Sequence, residues 1–195
     1  MNHESTSLTL LDRLKAEDAI GWERLSNVYG PLVYQWARES GLQADDAADV
    51  VQEVFRGLLK SIHNFRKEKP SDTFRGWLYV VTRNKIRDFA RKQSKLPAAQ
   101  GGTEFNLRLN ELPDSCAEES TAAGKSEVSG VYSRAIETIK DGFGEATWQS
   151  FWRMTVKNEP AKEIAEDLGL AVWTVYKHKA RVMKKLRGEF GDLID

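Results

Sequence analysis

Six cations, Lys177, Lys179, Arg181, Lys184, Lys185 and Arg187, crowd the segment VWTVYKHKARVMKKLR with no acid among them. Such a cluster would stay off a protein core and suits phosphate. A second cluster, Arg83, Lys85, Arg87, Arg91, Lys92 and Lys95, follows the aromatic residues Phe74, Trp77 and Tyr79 and is interrupted by one acid, Asp88. Arg83, Arg87 and Arg91 lie four apart, which on a helix makes one cationic stripe. Rings beside such a stripe suit single-stranded nucleic acid, because rings stack on unpaired bases while cations follow the backbone. The bland counterpart is that Trp77, Leu78, Val81 and Phe89 are core, and for Trp77 alone burial weighs at least as much as base contact. Covalent chemistry has no residue to carry it. His3, His63 and His178 are scattered, with no HExxH and no acid at ligand spacing. Phosphate-loop, dinucleotide and nucleophile-elbow patterns are absent. The sequence therefore predicts no enzyme, no cofactor and no metal.

The first cluster belongs to a helix-turn-helix over residues 159–187. Pro160 can open a first helix, where its missing N–H is not needed. Ile164, Ala165 and Leu168 recur at helical spacing, and Gly169 stands where that helix must stop in a left-handed conformation. Ala165, four residues before the glycine, is small enough for close approach, and Val175, six after it, can face back into the angle between the helices. A basic last turn also suits the negative end of a helix dipole, so the turn alone leaves duplex DNA binding and a plain helical corner both open.

Upstream, residues 18–39 carry Trp22, Leu25, Leu32, Val33 and Trp36 at helical spacing, with Gly30-Pro31 expected to kink or break the helix. In LQADDAADVVQEVFRGLLKSI, Val50, Val54, Leu58 and Ile62 form an apolar stripe, and Asp45 and Asp46 suit the helix start. Asp49, Gln52, Glu53 and Arg56 fall on the other side, as a solvated face or a docking face for a basic partner. FRKEKPSDT reads as a loop. Residues 97–127, rich in small polar residues, read as a flexible linker. A second helical unit is expected from Val128, with a helix bearing Trp148, Phe151 and Trp152 cradling the helix-turn-helix. The expected organisation is all-α: residues 1–96, a linker 97–127, and residues 128–195.

The 195 residues carry 29 basic against 29 acidic side chains, so any nucleic-acid argument rests on local clustering rather than net charge. The single cysteine, Cys116, excludes an internal disulfide framework and fits a reducing compartment. No signal peptide or membrane span is legible, and a cytoplasmic location is expected.

This organisation resembles the extracytoplasmic-function sigma factors, the minimal two-domain class of RNA polymerase initiation factors. DVVQEVF followed by FRGWL and TRNK is similar to sigma region 2, and FWRMTVKNEPAKEIAEDLGLAVWTVYKHKARVMKKLR to sigma region 4. The resemblance implies partners: core RNA polymerase through its β′ clamp helices and β flap, promoter DNA, and an anti-sigma protein as a candidate regulator. It assigns Asp49, Gln52, Glu53 and Arg56 to polymerase docking. It assigns Phe74, Trp77, Arg83, Asn84, Lys85, Arg87 and Arg91 to recognition and melting of the −10 element. Thr174, Tyr176, Lys177, His178, Arg181, Lys184 and Lys185 would meet the −35 element. Lys179 and the bulky Trp173 depart from the family pattern. A polymerase-independent helix-turn-helix regulator is the competing reading. The DVVQEVF and FRGWL segments argue against it, since such a regulator needs neither. A helical adaptor that binds no DNA is disfavoured by basic helices lacking acidic partners.

Overall fold

The computed structural model describes residues 9–69, 72–93, 122–191 and 193. Readings that rest on Leu8, Pro70, Ser71, Lys95, Cys116 or the linker 97–121 lie outside them. The described residues form eight α-helices and no strand. Helix α1 (Leu10–Lys15) opens on a capping box: the Thr9 hydroxyl accepts from the Asp12 N–H, and the Asp12 carboxylate accepts from the Thr9 N–H. Helix α2 (Ala19–Glu39) is capped by Asp18, which accepts from the Ile20 N–H at 3.1 Å. It runs through Pro31 as one helix, so the break that was one of the two expected outcomes does not occur. Pro31 is exposed, so water can serve the carbonyl it leaves without a helical donor. The opposite side of α2 is held by buried Leu25, Val28, Tyr29, Leu32, Val33 and Trp36.

Helix α3 (Ala44–Ser61) buries Val50, Val54 and Leu58 at the expected spacing. Its N-cap, Gln43, makes no side-chain bond, so Asp45 and Asp46 act through the helix dipole rather than as caps. A 3₁₀ turn, Ile62–Asn64, leads to the loop before α4 (Phe74–Gln93). The second half comprises α5 (Ala122–Thr138), α6 (Glu145–Thr155), α7 (Ala161–Leu168) and α8 (Val172–Phe190). Residues 122–127, read from sequence as the end of the linker, are the first turns of α5.

The halves do not stand apart. One apolar core runs from Leu10 and Leu14 through α2–α6 to Val182, Leu186, Phe190 and Leu193. Helix α5 lies along α2, and α8 reaches α1. Polar contacts seal this junction. Arg24 pairs with Glu189 at 2.8 Å, Arg134 donates to the Val28 carbonyl at 2.7 Å, and the Tyr29 hydroxyl donates to the Leu193 carbonyl. Burial lowers the pKa of the Arg134 guanidinium. Only the tip of the helix-turn-helix keeps a small core of its own, Ala161, Ile164, Ala165 and Val175.

Candidate nucleic-acid interface and docking face

The turn between α7 and α8 has the geometry its spacing predicts. Gly169 adopts φ 64°, ψ 34°, Ala165 is buried where α7 meets α8, and Val175 is fully buried against Ile164 and Ala165. Arg153 on α6 holds this corner from below. Its Nε donates to Glu159 at 2.5 Å and its Nη2 to Asp167 at 2.7 Å, and the hydrogen bonds to Asp167 and Glu159 raise its pKa.

The α8 side chains then divide by direction. Val175, Val182, Leu186 and Phe190 face inward. Tyr176, Lys177, Arg181, Lys184 and Lys185 are exposed, and Thr174 is half-buried. His178 is half-buried and turns its Nδ1 to the Ser150 hydroxyl of α6 at 3.0 Å, so in this arrangement it braces the recognition helix. Lys185 is engaged by Glu189 at 2.7 Å, and the Arg181 guanidinium lies 6.0 Å from the Phe143 ring. Trp173, which the sequence marked only as bulky, stands 60% exposed in the first turn.

On α4 the aromatic residues separate as well. Phe74 is fully buried, edge-on to Tyr29 at 5.1 Å and to Phe65 at 5.3 Å. It can support a base pocket but presents no face to one. Trp77 is half-buried, with its ring 5.2 Å from Phe65 and 5.7 Å from Phe74. Asn84 and Arg91 are exposed, and Arg83, Lys85 and Arg87 are half-buried. Arg91 pairs with Asp88 one turn back.

Asp49, Gln52, Glu53 and Arg56 form one exposed face of α3, with Arg56 bonded to Glu53 and, at 3.3 Å, to Gln52. This face does not end at α3. A cleft of about 360 Å³ between α3 and α4 is lined by Asp49, Glu53, Lys85, Asp88, Arg91 and Lys92. The two acids of the α3 face, Asp49 and Glu53, and three cations of the second cluster, Lys85, Arg91 and Lys92, therefore share one cleft.

Arg75 and Glu127 escaped the sequence reading. Arg75 donates to Glu127 at 2.6 Å, with side chains 8% and 7% exposed, and the Trp36 indole N–H donates to the same carboxylate at 2.8 Å. A lone arginine flanked by Phe74 and Trp77 was the available signal, since a charge in an apolar turn needs a distant counter-charge.

Residues 25–96 match the family model described as sigma-70 region 2, and residues 150–188 match that of the bacterial regulatory proteins of the luxR family. The chain is 27% identical over 189 residues to the RNA polymerase sigma factor CnrH of Cupriavidus metallidurans, covering 95% of each protein. It belongs to the sigma-70 family of RNA polymerase sigma factors.

Two further sigma factors are similar over shorter spans. The factor NccH of Alcaligenes xylosoxydans xylosoxydans is 30% identical over 91 residues, 47% of each chain. The extracytoplasmic-function factor SigE of Mycolicibacterium smegmatis is 28% identical over 94 residues, so the match spans 48% of this chain and 35% of that protein. A solved structure of CnrH in complex with the cytosolic domain of CnrY aligns over 91% of this chain and 92% of that chain at 20% identity. The TM-score of that alignment is 0.37. The sigma region 2 match disfavours a polymerase-independent regulator, which has no use for that half. Among the described residues, no helix of this sigma factor is long and apolar enough to cross a membrane.

Proposed function

We propose that this sigma factor docks on core RNA polymerase through Asp49, Gln52, Glu53 and Arg56, directs it to a subset of promoters, and helps to open them. The α4 residues Arg83, Asn84, Lys85, Arg87 and Arg91 follow the −10 strand, with Trp77 at the base pocket and Phe74 supporting it from within. Unpairing a base costs a few kcal/mol, which stacking and pocket contacts offset. Helix α8 meets the −35 duplex through Tyr176, Lys177, Arg181 and Lys184, with His178 and Lys185 in supporting positions. The phosphodiester chemistry belongs to the polymerase, and this chain supplies recognition and melting. The observation that carries the reading is the union, in one chain, of the α3–α4 cleft with a helix-turn-helix whose cations face solvent.

The packed arrangement adds a requirement. Elements named −10 and −35 are about 25 base pairs apart, or about 85 Å of duplex. A compact body of this length is roughly 40 Å across. Both grips cannot act from one closed body, so the half carrying α7 and α8 must move away from the half carrying α3 and α4 when the promoter is engaged.

Purified protein mixed with core polymerase is expected to comigrate with it and to start transcripts at a cognate promoter. Failure to bind core would overturn the reading. Glu53→Lys should weaken core binding by about tenfold, or about 1.4 kcal/mol. It should leave the melting temperature nearly unchanged, because the exposed Glu53–Arg56 pair contributes little to stability. Unaltered core binding would remove α3 as the docking face.

A further inference from the structure

Trp173 has the most exposed large apolar side chain of the described residues, at 60%, with Tyr176 at 54% and Val172 at 41% beside it. Residues 173, 176 and 177 are neighbours on one helical face by their spacing. The fold does not use this face. The inward side of α8 is occupied by Val175, Val182, Leu186 and Phe190, and the core of the turn closes on Val175 without Trp173. The indole is nevertheless held in place, because the Lys177 Nζ stands 4.5 Å from its ring centroid, a cation–π contact. A braced aromatic ring left in water is arranged to meet something.

Charge decides what that partner is. Between Val172 and Gly188, α8 carries Lys177, Lys179, Arg181, Lys184, Lys185 and Arg187 and no acid, so the partner is a polyanion. In a helix-turn-helix the first turns of the second helix approach base edges in the major groove. Amino groups, carbonyls and ring nitrogens on those edges ask for hydrogen bonds, which an indole face does not make. The apolar group on a major-groove edge is the C5-methyl of thymine.

We infer that Trp173 is a specificity-determining residue of the duplex grip: its indole packs on a thymine C5-methyl, with Tyr176 beside it and Lys177 bridging the ring to the phosphate backbone. The inference rests on the reading of α8 as the −35 reader and names one chemical feature of the sequence it reads. Tyr176 widens the apolar contact. Lys177 contributes twice, by fixing the ring and by neutralising a phosphate.

Thymine and deoxyuridine differ by that methyl alone, which gives the test. Holoenzyme assembled from the full chain and core polymerase selects duplexes from a randomised pool, and each thymine of the enriched −35 sequence is replaced in turn by deoxyuridine. At one or two positions the replacement should weaken binding about fourfold, the weight of one methyl group. Trp173→Ala should bind the parent duplex more weakly and no longer distinguish thymine from deoxyuridine, while Trp173→Phe keeps part of the difference. Because Trp173 lies outside the core, its variants should unfold at the wild-type temperature, which thermal melting checks. Equal binding of thymine and deoxyuridine duplexes by the wild type, or full discrimination by Trp173→Ala, overturns the inference and leaves α8 as a duplex reader. A Trp173→Ala chain that loses core polymerase while still discriminating the duplexes assigns the ring to polymerase and also overturns it. Failure to form holoenzyme or to enrich any duplex would instead overturn the underlying reading of the protein.

Discussion

Glu127 is one carboxylate serving two donors from the other half of the chain, the Arg75 guanidinium at 2.6 Å and the Trp36 indole N–H at 2.8 Å. Such a group costs little to keep and much to remove. Its desolvation is already offset by two charge-assisted bonds, whereas truncation takes the shared acceptor from a buried cation. Glu127→Ala is therefore expected to destabilise the protein by about 3–5 kcal/mol, measured by urea unfolding. Arg75→Met combined with Glu127→Leu should lose less than Glu127→Ala alone, since it removes the charge together with its partner. Equal losses would mean that packing, and not the ion pair, holds α5. Arg75 carried a signal, a charge in an apolar turn, but the pair was not legible: Glu127 is 52 residues away and looks like an ordinary charge in its own segment. His178 shows the same limit. Its place among cations suggested DNA, and its bond to Ser150, 28 residues away, appears only when α6 and α8 are laid together.

At the scale of elements, the corner between α7 and α8 was the most legible feature, because everything that makes it lies within a dozen residues. Gly169 has φ 64°, and a Cβ built there meets nothing within 4 Å. The cost of a side chain is therefore backbone strain alone. Gly169→Ala should lower stability by about 1 kcal/mol, and Gly169→Asn by less, since asparagine tolerates the left-handed region. A calorimetric melt tests this, and an alanine variant as stable as wild type would mean that the turn relaxes out of that conformation. Helix α2 escapes the break at Pro31 for a related reason. A proline signals a break through its local chemistry, but whether the helix continues depends on what holds its far side, here the core contacts of Tyr29, Leu32, Val33 and Trp36.

For the whole molecule, the shared core makes the two halves one thermodynamic unit. A 195-residue chain with two independent domains would melt in two steps, whereas a core running from Leu10 to Leu193 predicts one cooperative transition. Function asks for the opposite, because the two grips must separate to span the promoter. Dyes placed through the exposed positions Lys60→Cys and Glu145→Cys, with Cys116→Ser, should transfer energy efficiently in the free protein. They should lose most of that transfer when holoenzyme binds its promoter. Transfer that stays high on promoter DNA would show that the closed body can serve both elements.

The all-α class, the helix-turn-helix, the two cationic clusters and the resemblance to sigma regions were set by the sequence alone. Each depends on residue types at offsets of three to seven, where helix geometry turns spacing directly into shared faces. Tertiary structure decided which of those faces are free. It withdrew Phe74 into the core and turned His178 onto α6. It also joined acids of α3 and cations of α4 in one cleft and laid α5 on α2 through Glu127. Those outcomes depend on contacts between residues far apart in the chain, where burial of a charge or a ring is settled by what arrives opposite it.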